Sequence, residues 1–132
     1  MQFLSVTDWI WPISIGLLVG ILISARKRHN YNDIVYLEAD EFRQNMRKGQ
    51  LIDIRNEEAF KKERINGSRN FPGRSVFSNL NRLRKDQPVF LYSDTDSFKV
   101  RQTAKKFIRK GFQPVYVLKG GLTVWSFPLK ND

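Results

Sequence analysis

Two kinds of hydrophobic pattern alternate along most of the chain and predict a series of strands and helices. Short apolar runs rich in β-branched and aromatic residues are typical of buried strands, whereas apolar residues spaced three to four positions apart indicate amphipathic helices. Strands are predicted over residues 34–37, 51–54, 88–92 and 114–118. Helices are predicted over residues 38–47, 57–62 and 99–110, after Ser75 around Val76, Leu80 and Leu83, and near Trp125.

The alternation of strands and helices predicts the class of the fold. In a single domain it implies a three-layer α/β arrangement, with a largely parallel sheet covered by helices on both faces. Ligand sites in such sheets lie beyond the carboxyl ends of the strands. Two of these ends carry polar side chains, the segment Asp53-Ile54-Arg55 and residues 93–99 after the strand PVFLY. An acid and a base at a strand end most often pair with each other or with backbone amides.

An uncharged apolar run precedes this pattern. Residues 9–25 read WIWPISIGLLVGILISA, and as a helix they would extend about 25 Å, at the short end of what spans a hydrocarbon core. Tryptophans at one end and the basic cluster 26–29 at the other favour the two membrane interfaces. We therefore predict a single transmembrane helix, with residues 1–30 as an anchor and residues 31–132 as a soluble domain. Because the basic cluster follows the span, we expect the N-terminus outside the cell membrane and the domain in the cytoplasm.

Two other interpretations of the apolar run fit the sequence less well. A cleaved signal peptide needs positive charge ahead of the run, where this chain has Asp8 and neither Lys nor Arg. A buried core helix needs a polar face, and residues 9–25 have none. The membrane anchor is therefore the preferred interpretation.

Composition and charge exclude several kinds of chemistry. The 132 residues contain no cysteine, which rules out disulfides, thiolate metal sites and cysteine nucleophiles. They contain one histidine, His29, so a histidine metal cage is excluded and a Ser-His-Asp triad would have a single candidate base. We expect neither a metal nor a cofactor. With 23 Lys and Arg against 13 Asp and Glu, the formal net charge is +10.

Three segments resemble the rhodanese family in sequence and in order. LIDIRNEEAF (51–60) resembles that family's Asp-x-Arg strand and the helix after it. RINGSRNFP (64–72) resembles its GHIxGAxNIP segment, with Ser68 in place of the usual alanine. GFQPVYVLKGGLTVW (111–125) is similar to its closing GFxxVYxLxGGxxxW. The resemblance implies a rhodanese-like domain with a mainly parallel five-stranded sheet.

The loop after the PVFLY strand departs from the family. The family's active loop reads Tyr-Cys-x-x-Gly-x-Arg-Ser, and the aligned residues here are Tyr92, Ser93, Asp94, Thr95, Asp96, Ser97, Phe98 and Lys99. Ser93 thus takes the place of the cysteine, Asp96 that of the glycine and Phe98 that of the arginine. Sulfur transfer needs a polarisable thiolate that can hold a persulfide, and a serine hydroxyl cannot do so. We therefore expect the fold of the family without its catalytic residues.

Several roles are open for this loop. Asp96 or Ser97 is predicted to cap the following helix, and Asp94 or Asp96 to complement its dipole. Alternatively, one of the two carboxylates fills the cradle of backbone amides that would otherwise hold an anion. Ser93 as a nucleophile would need a base close by. Asp94 and Asp96 alone are weak evidence for a divalent cation.

The helix predicted over residues 99–110 has one basic face. Its cations are Lys99, Arg101, Lys105, Lys106, Arg109 and Lys110. At the cytoplasmic face of a membrane this Lys99–Lys110 helix would be attracted to anionic lipid. Nucleic acid is not an expected partner, because the sequence has no reading-helix motif and no interleaved aromatic platform.

These observations together predict a membrane-anchored, catalytically inactive rhodanese-like domain. It would act as a binding or regulatory module that presents the altered loop to a protein partner or a small anion. The alternative is an enzyme, either a thiosulfate sulfurtransferase or a Ser93-dependent transferase or hydrolase.

Overall fold

The computed structural model describes residues 6–24 and 30–131, and its centre is one parallel β-sheet. The five strands are β1 (Ile34–Leu37), β2 (Gln50–Asp53), β3 (Arg69–Asn70), β4 (Val89–Tyr92) and β5 (Val115–Leu118). They lie in the order β1-β5-β4-β2-β3, and each neighbouring pair is parallel. The expected five-stranded parallel sheet is confirmed.

The helices supply most of the connections that parallel strands require. The α-helices are α1 (Val6–Ser24), α2 (Ala39–Asn45), α3 (Glu57–Lys62) and α4 (Phe98–Arg109). Short 3-10 helices lie at Tyr31–Asp33, Met46–Lys48, Val76–Ser78, Leu80–Arg82 and Gly121–Val124. The helices predicted over residues 38–47, 57–62 and 99–110 are confirmed to within one or two residues. Gly111, with φ +95°, lies just beyond α4 in the left-handed conformation that commonly ends a helix.

Two hydrophobic cores lie on the two faces of the sheet. Successive side chains of a strand point to opposite faces. In β4, Val89 and Leu91 belong to one core, whereas Phe90 and Tyr92 belong to the other. The first core contains the buried side of α4, and the second contains Phe42 of α2. The expected layers of helix, sheet and helix are therefore present.

The helix predicted after Ser75 is wrong. Residues 76–82 form two single 3-10 turns, and Ser75 makes no side-chain cap. The reason is local competition for the backbone carbonyl of Ser75, which accepts hydrogen bonds from Ser78 Oγ (2.9 Å) and Asn79 Nδ2 (3.0 Å). Serine and asparagine side chains that bond nearby backbone disfavour a continuous α-helix.

The prediction that the first helix crosses a membrane is not supported. Residues 9–24 are helical and lie within α1, while Ala25 and the basic cluster 26–29 fall outside the described residues. Among the helices that the structure describes, none combines the length and the apolarity that a membrane crossing requires.

The strand register brings polar segments together at the carboxyl end of the sheet. Asp53, the last residue of β2, lies beside Asn70 of β3 and Tyr92 of β4. The backbone amide of Ile54 donates a hydrogen bond to the carbonyl oxygen of Tyr92 at 3.1 Å, so the two chains leave the sheet side by side. The two polar strand ends seen in the sequence therefore form one site.

Candidate functional site

A buried arginine organises the end of β2. The Arg55 side chain is 8% exposed, and the Asp53 side chain is fully buried. Arg55 Nη2 donates to Asp53 Oδ2 at 2.8 Å, and Arg55 Nε donates to both oxygens of the same carboxylate at 3.1 and 3.2 Å. Arg55 Nη2 also donates to the backbone carbonyl of Glu63. The predicted pairing of Asp53 with Arg55 is confirmed.

This pairing keeps Arg55 charged although it is buried. Burial by itself lowers the pKa of the guanidinium, but the hydrogen bond with Asp53 and the charge of that carboxylate together outweigh it. The pKa of Arg55 is therefore raised above its ordinary value. A permanent cation thus stands at the end of β2, where it can attract an acidic side chain from the neighbouring strand end.

Asp94 is the acidic side chain that Arg55 holds. Its Oδ1 atom lies 3.3 Å from Arg55 Nη1, and its side chain is 66% exposed. Asp94 is the second residue beyond β4, so the ion pair joins the end of β2 to the loop of residues 93–97 that leads into α4. Below, these five residues are called the β4–α4 loop.

Asp96 ties the same loop to the turn before the last 3-10 helix. Its Oδ2 atom accepts a hydrogen bond from the backbone amide of Gly120 at 2.9 Å. Two backbone bonds strengthen the contact, from the Leu122 amide to the Ser93 carbonyl (3.0 Å) and from the Thr123 amide to the Asp94 carbonyl (3.1 Å). We call residues 120–123 the latch turn.

The latch turn approaches the β4–α4 loop too closely for any side chain at Gly121. This residue has φ +63°, and a Cβ atom added to it would lie 2.5 Å from the carbonyl oxygen of Asp94. Glycine is required here both for the left-handed backbone and for the close approach of the two segments. Gly120 also has a positive φ, so both glycines of the latch turn adopt the left-handed backbone.

The predicted side-chain cap of α4 is wrong. Ser97 is the N-cap residue by position, but its hydroxyl makes no capping hydrogen bond. The Asp96 carboxylate is directed to Gly120 instead, because the latch turn lies against the loop and offers a free amide. The alternative was that a carboxylate of the loop fills the cradle formed by the loop's own backbone amides, and the structure differs from it. A carboxylate does accept a backbone amide, but that amide belongs to Gly120 and not to the β4–α4 loop.

Tyr92 fixes the end of β4 from the other direction. Its hydroxyl accepts a hydrogen bond from the Ile65 amide (3.1 Å) and donates to Ser68 Oγ (2.9 Å). Burial is the main cause of a strongly raised pKa for Tyr92, and the charge of Asp53 adds to it. The phenol therefore stays neutral and acts as a structural bridge between β4 and the segment before β3.

Ser93 stands at the end of β4 without an activating group in this structure. No hydrogen bond joins its hydroxyl to a basic side chain within residues 30–131, and His29 lies outside the described residues. In the same part of the chain no three acidic or histidine side chains come together in a way that could hold a metal ion. The strand end thus brings together Asp53, Arg55, Asp94 and Ser93.

Three contacts of the site were not predicted from the sequence: Arg55 with Asp94, Asp96 with Gly120, and Tyr92 with Ser68. The first could have been found from opposite charges at the ends of two adjacent strands. Ser68 in place of the usual alanine was a signal for the third. Trp125 lies edge-on to Phe42, with ring centroids 6.2 Å apart, and thus packs against the second core.

This chain is similar to one family profile and to several known proteins. The family profile described as "Rhodanese-like domain" matches residues 38–127. YqhL, an uncharacterized protein of Bacillus subtilis, is 36% identical over 94 residues, which are 71% of this chain and 74% of YqhL. GlpE of Pseudomonas aeruginosa, a thiosulfate sulfurtransferase, is 33% identical over 90 residues, which are 67% of this chain and 77% of GlpE.

The fold agrees with these sequence matches. The crystal structure of a rhodanese-like domain protein from Staphylococcus aureus matches with a TM-score of 0.67 at 17% identity, over 74% of this chain and 98% of that one. The resemblance seen first in three short segments thus extends over the sheet, the helices and the strand ends described above. The chain belongs to the rhodanese-like domain family.

Proposed function

We propose that this protein is a rhodanese-like module that does not transfer sulfur and instead works by binding. The observation that carries the proposal is the residue at the end of β4. Ser93 stands where the family's active loop has its cysteine, and the sequence contains no cysteine elsewhere that could take its place. A persulfide is formed on the sulfur atom of a thiolate, and a serine side chain has no sulfur.

The contacts of the β4–α4 loop support this proposal. In a sulfur-transferring loop, backbone amides and a helix N-terminus would stabilise the anion. Here Asp94 and Asp96 place two carboxylates in the loop, and these disfavour a third negative charge nearby. Both are also engaged, Asp94 by Arg55 and Asp96 by Gly120, so the loop is held closed by its own side chains. A closed, acidic loop suits a protein partner better than it suits thiosulfate.

The enzymatic alternative has weaker support. GlpE of Pseudomonas aeruginosa is a thiosulfate sulfurtransferase, and the similarity of this chain to it favours a shared fold more than a shared reaction. A Ser93-dependent transfer would need a base at hydrogen-bond distance. The carboxylates of this strand end are already bound, those of Asp53 and Asp94 by Arg55 and that of Asp96 by the Gly120 amide.

A thiosulfate–cyanide assay tests the absence of sulfur transfer. The full chain, its Ser93→Ala variant and GlpE as a positive control are incubated with thiosulfate and cyanide. In the catalysed reaction one sulfur atom passes from thiosulfate to cyanide, which yields sulfite and thiocyanate. We expect thiocyanate from GlpE and none above the enzyme-free blank from either form of this chain. Turnover by the natural chain that disappears in Ser93→Ala would overturn the proposal.

We further propose that the module works at the cytoplasmic face of a membrane and contacts anionic lipid through α4. Two observations support this location. The cations of the Lys99–Lys110 segment lie along one helix that starts at Phe98, whose side chain is 71% exposed. In addition, α1 exposes large apolar side chains such as Trp11 (73%) and Leu17 (66%). Basic and apolar surfaces together favour binding to an anionic membrane interface. This contact does not require a helix that crosses the membrane.

Vesicle binding tests the lipid contact separately from the sulfur chemistry. The full chain is mixed with neutral phosphatidylcholine vesicles and with vesicles that also contain phosphatidylglycerol. We expect stronger binding to the anionic vesicles, and we expect the difference to shrink as salt is added because exposed charges are screened. Equal binding to both kinds of vesicle would contradict the role of α4.

A further inference from the structure

A basic pocket lies beside the β4–α4 loop, on the opposite face of the sheet from the latch turn. Its wall residues Ile54 and Phe77 pack on the core that contains α4, whereas Leu122 of the latch turn packs on the other core. The pocket has a volume of about 380 Å³. Its cations are Arg74, from the segment after β3, and Lys99 and Lys106, from α4. We call it the Arg74 pocket.

The two lysines share one face of α4. Lys99, Thr103 and Lys106 lie at positions i, i+4 and i+7, which places them in a row along a helix. All three line the pocket. Thr103 Oγ1 donates to the Lys99 carbonyl at 2.9 Å, and this bond directs the hydroxyl toward the helix backbone. One face of the helix therefore contributes two lysines to the wall of the pocket, with an uncharged threonine between them.

Arg74 is brought to the pocket by the turn that follows β3. The Gly73 amide donates to the Ile54 carbonyl at 3.2 Å, and the Ser75 amide donates to the Pro72 carbonyl at 2.8 Å. The first bond holds Gly73 next to the carboxyl end of β2, and the second closes the turn that contains Arg74. Ligands in open parallel sheets bind at this end.

The charges of the pocket are not balanced by the protein. No acidic residue lines it, and within the described residues Arg74, Lys99 and Lys106 form no ion pair with a carboxylate. The nearby acids Asp94 and Asp96 are held by Arg55 and Gly120.

We propose that the Arg74 pocket binds a phosphate monoester. Three cations match a phosphoryl group, which carries close to two negative charges at neutral pH and offers three terminal oxygens. Arg74 can bind two of these oxygens at once, and the lysines act as point charges. The phosphoryl group fills only part of the volume, so room remains for an organic group against Phe77. That ring also contacts Lys106, whose Nζ atom lies 5.0 Å from its centroid.

The phosphoryl group could belong to a soluble metabolite or to the headgroup of phosphatidic acid. Both present the same monoester, and the binding chemistry in the pocket is the same. The inference goes beyond the loss of sulfur transfer, because the Arg74 pocket and Ser93 share no side chain. It also does not depend on the general attraction of α4 to anionic lipid, which any negative headgroup would satisfy.

Calorimetric titration of the full chain in an uncharged detergent tests the pocket with a soluble ligand. The probe is glycerol 3-phosphate, and glycerol is the uncharged control. A Lys99→Gln/Lys106→Gln variant removes two cations of the pocket, whereas Lys105→Gln/Lys110→Gln removes the same charge from α4 outside it. We expect the pocket variant to bind about tenfold more weakly and the control variant to change less than about threefold. An Arg74→Gln variant should repeat the loss from the other wall.

Vesicles containing phosphatidic acid or, at equal charge, phosphatidylglycerol distinguish the two sources. A preference for phosphatidic acid that is lost only in the pocket variant identifies the lipid monoester as a ligand. Binding of glycerol 3-phosphate without this preference identifies a soluble one, and both results support the pocket. Equal weakening in the pocket and control variants, or no binding of either monoester, would overturn the proposal. Unchanged thermal unfolding of all variants shows that the comparison concerns binding and not folding.

Discussion

Among the residues that the structure describes, the charged side chains at the carboxyl end of the sheet are paired on one side and unpaired on the other. On the side of the latch turn, Asp94 and Asp96 are bound by Arg55 and by the amide of Gly120. On the side of α4, Arg74, Lys99 and Lys106 surround a pocket that contains no acid. Charges held by other groups of the protein tie its own segments together, whereas charges left without a partner are available to a ligand.

The family resemblance places sulfur transfer and the attraction of an anion in the same loop. In this chain the loop and the basic pocket are separate. The loop at the position of the family's active loop is tied to its neighbours by Arg55 and Gly120. A pocket lined by three cations lies on the other side of the sheet. Substitutions on the side of the latch turn, called the closed side below, should therefore change the free energy of unfolding. The predictions below test the closed side in order of decreasing effect.

The largest effect is expected from Asp53→Ala. This change leaves the Arg55 guanidinium, 8% exposed, without its main counter-charge. Removing one partner of a buried ion pair costs about 3–5 kcal/mol of unfolding free energy. Denaturation by urea measures the loss. The control Asp86→Ala breaks the exposed pair with Arg84 and should have little effect; a similar loss in both variants would contradict the central role of Arg55.

Gly121→Ala should have the next largest effect. The new Cβ would meet the Asp94 carbonyl oxygen at 2.5 Å in addition to the strain of φ +63°. We expect a loss of about 3 kcal/mol, since backbone strain and steric overlap add. Gly67→Ala is the matched control, because Gly67 has φ +90° with no atom near its added Cβ. It should lose about 1 kcal/mol. Equal losses of unfolding free energy in Gly121→Ala and Gly67→Ala would contradict the close contact between the latch turn and the β4–α4 loop.

Tyr92→Phe should lose a smaller amount. Without the hydroxyl, the buried amide of Ile65 and the hydroxyl of Ser68 lose their partner. An unsatisfied buried donor costs about 1–2 kcal/mol. Tyr116→Phe, on the neighbouring strand, is the control and should be nearly neutral. The result would contradict the bridging role of Tyr92 if the control were the more destabilised variant.

The smallest effect is a dependence of stability on pH. Burial raises the pKa of Tyr92 above its unfolded value of 10.0, so the unfolded chain releases this proton first as the pH rises. The stability that depends on protonated Tyr92 is thus complete below about pH 10 and is lost as the pH rises toward the folded pKa. Urea denaturation between about pH 8 and about pH 11 should show a steeper fall for the natural chain than for Tyr92→Phe. Parallel curves would contradict this assignment.

The sequence was sufficient for features whose signals are local. The short β-branched strands, the amphipathic α4 and the pairing of Asp53 with Arg55 two residues away all follow from neighbouring residues. Contacts between distant segments were out of reach, because Asp96 meets Gly120 only once β4 and β5 have found their register. Asp96 or Ser97 was expected to cap α4. Neither does so, and the Asp96 carboxylate instead accepts a hydrogen bond from Gly120 of the latch turn, which is distant in sequence. After Ser75, local hydrogen bonds of Ser78 and Asn79 overrode the helical spacing of Val76, Leu80 and Leu83.

The mass of the intact chain after exposure to thiosulfate tests the central claim most directly. A sulfur-transferring rhodanese domain holds the transferred sulfur as a persulfide, and an accepted sulfur atom would show as a discrete gain in mass. Without a thiol, this chain should keep its original mass, while GlpE of Pseudomonas aeruginosa treated in parallel should gain one sulfur atom. A gain of one sulfur atom by this chain that is absent from Ser93→Ala would contradict the claim that its loop no longer carries sulfur.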